Sequence, residues 1–201
     1  MKRKSSDKIL VITASALSIF LLGGCFNLGG GSTSSGTKTV DERSKLYDTN
    51  DFSVVIPKDW EIISKAEFTA GVPEETEVVF RNNVKNEDFT ANVNIVKNNL
   101  QEPISTVEYS KRVENRQSSG LYDYKESKND PIKITIGDKQ VDSFYKLFEA
   151  KKGPDEKLVR YMQIYGVKGD SAYIITGAVS PKENDAVIKT IEDIVKSFKL
   201  K

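Results

Sequence analysis

Residues 158–179, LVRYMQIYGVKGDSAYIITGAV, and the SPKENDAVIKTIEDIVKSF that follows at 180–198 decide the fold. The first segment divides at Gly169-Asp170 into two runs rich in β-branched and aromatic residues, at 158–167 and 171–179. Apolar runs of this length around a Gly-Asp pair predict an antiparallel hairpin. The second segment changes period. Ser180 is placed to cap, Pro181 to take the first helical position and Glu183 to complete a capping box. Val187, Ile188, Ile191, Ile194, Val195 and Phe198 then recur on one face, with Lys189, Glu192, Asp193 and Lys196 largely opposite. That pattern predicts an amphipathic helix of about four to five turns lying on the sheet.

Working outward, residues 51–57 predict a short strand that Pro57 stops. Trp60, Ile62 and Ile63 follow as a segment laid on the core, with Trp60 filling a core edge. Val78 and Phe80 share one face of a strand at 77–82. In 89–96, Phe89, Ala91, Val93 and Ile95 alternate with Thr90, Asn92 and Asn94, the pattern of a half-buried strand. Ser105 with Glu108 opens a helix over 106–117. Its apolar face is thin (Val107, Tyr109, Val113), which predicts a peripheral position. Strands are predicted at 121–126, 132–136 and 140–149, with a turn at Gly137-Asp138 between the last two and a charged loop at 151–156. Several antiparallel strands with helices bury their apolar sides best as layers around a sheet. Tyr122, Tyr124, Tyr145, Tyr161, Tyr165 and Tyr173 are candidates for an exposed aromatic patch.

The composition suits one domain with a core. The chain has 201 residues, 38% hydrophobic and 29% charged, with one cysteine and no histidine. The missing histidine removes the usual general base, the commonest nitrogen metal ligand and the switch near neutral pH. A serine hydrolase would need a serine–lysine pair instead. The adjacent pairs Ser64-Lys65, Ser110-Lys111 and Ser127-Lys128 send their side chains apart. Ser-x-x-Lys occurs at Ser5 to Lys8, in a segment read below as a leader. Oxygen ligands in 85–88 (Lys85-Asn86-Glu87-Asp88) and in Asp123 with Glu126 match no EF-hand spacing. No catalytic residue, cofactor or metal site is assigned.

The N-terminus reads as an address. Residues 1–8, MKRKSSDK, are basic; residues 9–22, ILVITASALSIFLL, are apolar and uncharged; Gly23, Gly24 and Cys25 follow. This is the signal-peptide pattern. About 14 residues at 1.5 Å each reach roughly 21 Å, short of a hydrocarbon core of about 30 Å. Leu22-Gly23-Gly24-Cys25 resembles the bacterial lipobox. The resemblance implies a diacylglyceryl thioether on Cys25, cleavage after Gly24 and anchoring in membrane lipid on the extracytoplasmic side of a cell membrane or outer membrane. Residues 1–24 are then a lipoprotein signal peptide, 25–45 the lipidated cysteine with a Gly/Ser/Thr-rich tether, and 46–201 the domain. The leader carries Lys2, Arg3, Lys4 and Lys8 against Asp7. The remainder therefore holds 26 basic and 28 acidic residues, a net charge of −2. Such a balance gives no electrostatic reason to bind nucleic acid.

The run Tyr47-Asp48-Thr49-Asn50-Asp51-Phe52-Ser53-Val54-Val55-Ile56-Pro57-Lys58-Asp59-Trp60, the apolar hairpin and the closing Ile194-Val195-Lys196-Ser197-Phe198 resemble the PsbP-like lipoproteins over about residues 46–201. The resemblance implies an α/β fold, an α/β/α sandwich with a central antiparallel sheet. Photosynthetic members are extrinsic subunits of the oxygen-evolving complex that support calcium and chloride retention, and many bacterial relatives are envelope lipoproteins. No histidine-based metal site carries over to a chain without histidine, so no photosystem role is expected. The expected function is a non-enzymatic binding or accessory module for an envelope protein. The alternatives are a small-ligand or calcium-binding lipoprotein and, last, a histidine-free hydrolase.

Overall fold

The computed structural model describes residues 42–201. The leader, Leu22, Gly23, Gly24, Cys25 and most of the expected tether lie outside the described residues. The first strand, β1 (Ser44–Asp48), already includes Ser44 and Lys45. It is followed by β2 (Phe52–Pro57), β3 (Glu61–Ser64), a 3-10 turn (Lys65–Glu67), β4 (Thr76–Arg81), β5 (Asn92–Asn99) and helix α1 (Thr106–Gly120). Then come β6 (Tyr122–Ile136), β7 (Lys139–Lys151), β8 (Val159–Lys168), β9 (Ser171–Val179), helix α2 (Asp185–Lys196) and the two-residue β10 (Lys199–Leu200).

The strands form one sheet in the order β1-β2-β10-β6-β7-β8-β9-β5-β4-β3. Neighbours are antiparallel except β10 and β6, which meet in parallel at Leu200 and Ile136. The β8–β9 hairpin forms where the sequence predicts it, and Gly169 takes the positive φ of +62° that its turn requires. Its two strands divide their side chains between two helices. Met162, Ile164, Tyr173 and Ile175 point into the main core with α2, while Tyr165, Ala172 and Ile174 meet Tyr109 and Val113 of α1. The result is a mixed α/β sandwich with a helix on each face of an essentially antiparallel sheet.

The sheet curls around α2. Tyr47 on β1 and Phe80 on β4 belong to opposite ends of the strand order, yet their rings meet edge-on at 5.1 Å. Ile191, Ile194 and Val195 are fully buried in the hollow, worth about 1.5–3 kcal/mol each by apolar burial. Gly177 lies directly beneath the helix, where a Cβ would collide with Cγ2 of Ile191 and come within 3.1 Å of Cγ2 of Val195.

Four expectations are corrected. Helix α2 is capped by Asn184, whose side chain accepts from the Val187 amide at 3.0 Å, and runs 12 residues. Ser180 closes a preceding turn instead, because Glu183 turns its carboxylate to Asn86 and Asn184. The two strands expected at 121–126 and 132–136 are one long β6 with two register shifts. Pro131 fits there because the strand's outer edge needs no donor from it. On β5, Asn92 and Asn94 are buried along with Val93 and Ile95, so both faces of that strand are covered. Helix α1 is no peripheral element. It covers a face of the sheet with Thr106, Tyr109, Ser110, Val113 and Gln117, and Val107 sits at its flank.

Candidate functional site: a cleft where the sheet closes

The turn between β1 and β2 is locked by one hydroxyl. Thr49 Oγ1 donates to the Phe52 carbonyl at 2.9 Å and accepts from the amides of Asp51 and Phe52 at 3.2 and 3.0 Å. Lys201 pins the same turn. The Lys201 amide donates to the Asp51 carbonyl at 2.9 Å, and Lys201 Nζ reaches the Thr49 carbonyl and the Asp48 carboxylate, each at 2.6 Å. Asn50 and Asp51 are thereby presented at the point where the curled sheet closes on itself.

A cleft of about 280 Å³ opens there, lined by Tyr47, Thr49, Asn50, Asp51, Phe52 and Glu77. Asp51 Oδ2 accepts from Lys97 Nζ on β5 at 2.7 Å and from the Tyr173 hydroxyl on β9 at 3.1 Å. The Lys97 ammonium also lies 5.5 Å from the Tyr173 ring centre. The hydrogen bond from Lys97, aided by that from Tyr173, holds the Asp51 carboxyl below its ordinary range. The same bond raises the Lys97 ammonium above its own. On the opposite wall Glu77 pairs with Lys65 at 3.4 Å. Burial, with the charge of Glu77 second, raises the Tyr47 hydroxyl, so it remains a neutral donor at physiological pH.

A second polar cluster lies under α1. The Lys146 side chain, 1% exposed, pairs with Glu114 of α1 and lies 3.6 Å from Glu126 of β6. Next in the sheet, Tyr165 donates to Gln163 at 2.7 Å and Gln163 donates to Thr176 at 3.0 Å. The Gln117 amide is buried with neither its nitrogen nor its oxygen bonded.

The expected oxygen ligands are separated by lysines. Asp88 pairs with Lys157 at 2.9 Å, Asp123 with Lys151 at 2.6 Å, and Glu126 faces Lys146. Among the described residues no three of His, Cys, Asp and Glu are grouped to hold a metal ion. The hydroxyls of Ser64, Ser110 and Ser127 donate to Glu67, the Val107 carbonyl and the Leu147 carbonyl rather than to a lysine. Trp60 fills the core at 5% exposure. Tyr145, Tyr161, Tyr165 and Tyr173 are buried and Tyr124 is half-buried, which leaves Tyr122 as the exposed member of the expected aromatic patch. The cleft residues escaped the sequence because Asp51 meets partners 46 and 122 positions away. Lys146 did leave a signal: it shares its strand parity with Phe148 and Ala150, both fully buried.

The solution structure of a cyanobacterial PsbP (CyanoP) from Synechocystis sp. PCC 6803 is similar over 85% of this chain and 98% of its own, with a TM-score of 0.55 at 12% identity. The fold is PsbP-like. A Pseudomonas aeruginosa protein of unknown function, PA94, shares 15% identity over 75% of this chain and 89% of its own, with a TM-score of 0.46. LpqN, involved in cell envelope biogenesis of Mycobacterium tuberculosis, shares 11% identity over 74% of this chain and 82% of its own, with a TM-score of 0.49. No family model and no curated protein matches the sequence.

Proposed function

We propose that this PsbP-like chain is a lipid-anchored extracytoplasmic lipoprotein, a non-enzymatic accessory module that binds an envelope partner. The observation that carries the reading is the position of the sole cysteine. Cys25 stands directly behind Leu22-Gly23-Gly24, at the end of a basic and then apolar leader. A thiol there is an acceptor for a diacylglyceryl group, and a second acyl chain makes anchoring stable where one chain is marginal. The fold likeness to a cyanobacterial PsbP supports an accessory role. Anchoring also raises the concentration of the domain beside membrane partners.

Growth with labelled palmitate, followed by mass analysis of the mature N-terminus, tests the anchor. The expected product begins at an acylated Cys25, and Cys25→Ala leaves the full-length precursor unlabelled. A mature protein cut elsewhere, or one that carries no lipid, would remove the basis of the proposal. Crosslinking in intact cells then tests the accessory role. Capture of one envelope protein, weakened by Cys25→Ala, is expected; capture that ignores the substitution would separate partner binding from anchoring.

A further inference from the structure

The geometry of the cleft points to a ligand, and we propose that it binds one ring of a neutral saccharide. This assignment goes beyond the anchoring and accessory reading and does not depend on it.

Size comes first. At about 280 Å³ the cleft lies just below the range of small-molecule sites, about 300 to 1,000 Å³, so it has room for no more than a single ring. Charge comes second. Each wall carries a carboxylate already matched by a lysine, Asp51 by Lys97 at 2.7 Å and Glu77 by Lys65 at 3.4 Å. An anionic ligand would meet two carboxylates, and a cationic one would have to displace a lysine from its partner. A neutral ligand meets neither obstacle. A metal ion lacks a third acidic ligand here, since no such group exists among the described residues.

The remaining groups suit a polyhydroxylated ring. Thr49 has spent its hydroxyl on the turn, but Asn50 is exposed, and its amide supplies donors and an acceptor side by side without a protein partner. Asp51 is bonded through Oδ2, which orients the carboxylate and leaves Oδ1 to accept from a hydroxyl. The Tyr47 hydroxyl adds a donor. Adjacent ring hydroxyls each donate and accept, so a fixed carboxylate oxygen beside an amide reads a vicinal pair. Tyr47, half-buried, is the ring that offers an apolar edge to the C–H face of the sugar; Phe52 beside it is buried in the core and backs the site. A general acid needs a raised pKa, and the Lys97 hydrogen bond moves Asp51 the other way, so Asp51 is suited to holding a hydroxyl rather than to donating a proton.

The test uses the full chain in a detergent without a sugar headgroup. It is titrated with glucose, N-acetylglucosamine and the β-1,4-linked dimer of N-acetylglucosamine, with inorganic phosphate and choline as charged probes, and followed by amide shifts in NMR spectra. The expected result is saturable binding of a saccharide with shifts centred on residues 47–52 and 77, and no saturation by phosphate or choline. Asn50→Ala removes a side chain that holds nothing in the fold, and weakens binding by about tenfold. Asp51→Asn, which keeps the shape, weakens it as well. Lys133→Ala on the distant β6–β7 hairpin leaves binding unchanged. Absence of binding by every saccharide, shifts centred elsewhere, indifference to Asn50→Ala, or saturation by phosphate or choline at residues 47–52 would each overturn the assignment. None of these outcomes bears on whether Cys25 is acylated.

Discussion

Stripping the counter-charges from Lys146 should destabilise the domain more than removing the lysine itself. Its ammonium is buried at the interface between α1 and the sheet, whereas the Glu114 and Glu126 side chains are each 30% exposed. The double variant Glu114→Gln/Glu126→Gln keeps shape and hydrogen-bonding capacity but leaves a buried cation without an anion. Breaking a buried pair in this way costs about 3–5 kcal/mol. For a domain of this size that lowers the melting temperature by roughly 6–20 °C, at about 2–4 °C per kcal/mol. Lys146→Met leaves two carboxylates that water can reach, so its cost is smaller, about 1–2 kcal/mol. The triple variant Lys146→Met/Glu114→Leu/Glu126→Val removes every charge together. It should match the parent or exceed it by about 1–4 kcal/mol, because apolar packing replaces a desolvated triad without loss. Urea unfolding of the four proteins at pH 7 gives the order directly. A double-Gln variant with the parent's midpoint would show that the ammonium is not confined, and would refute the reasoning.

Gly177→Ala drives a methyl into Ile191 and Val195 and should cost about 1–3 kcal/mol in urea unfolding; combined with Ile191→Ala the losses should be less than additive. Asn184→Ala should cost about 1 kcal/mol through loss of the α2 cap, against a few tenths for Ser180→Ala, as thermal unfolding would register. Asp51→Asn tests the cleft's ion pair by pH. The folded state depresses the Asp51 pKa, so its contribution is present above about pH 4 and is lost as pH falls through the depressed value. The gap in melting temperature between parent and variant, open at pH 7, should therefore narrow as pH falls below about 4; a gap that does not change with pH would have a packing origin.

The sequence made the α2 side of the sandwich legible because that side is apolar throughout. Ile191, Ile194 and Val195 recur at helical spacing, and β8 and β9 are near-continuous apolar runs around a Gly-Asp turn, as strands covered on both faces require. Strands β1 and β10 were illegible for a different reason. SKLYD and KL hold too few apolar residues to show a period, and they exist because the curled sheet offers β2 an edge to pair on each side. Strand β6 read as two because YDYKESKNDP is polar and contains a proline; pairing with β7 along nearly its whole length holds it extended nonetheless. The cleft was half legible. Tyr47, Asp51 and Phe52 stand in the run that carries the family resemblance, but Glu77, Lys97 and Tyr173 reach them through tertiary closure, which no local pattern encodes.

The two helices hold their faces of the sheet by different means. Helix α1 reads as peripheral if burial is equated with apolar side chains, since Tyr109 and Val113 alone would make a thin stripe. Around that small apolar cluster its contact adds hydrogen bonds and charge: Thr106 accepts from the Val167 amide at 3.0 Å, Tyr109 accepts from Asn98 at 2.9 Å, and Glu114 takes Lys146. Such a contact gains less from desolvation than the α2 contact does, because every buried polar group must first replace the water it loses. It is correspondingly stricter in geometry, and the bare amide of Gln117 marks where satisfaction is incomplete. The apolar layer therefore supplies most of the stability, while the polar layer fixes how α1 sits on the sheet. The cleft rests on the closure of the curled sheet around α2, so damage to α1 should leave its geometry standing, whereas any change that opens the contact between Tyr47 and Phe80 should dismantle it.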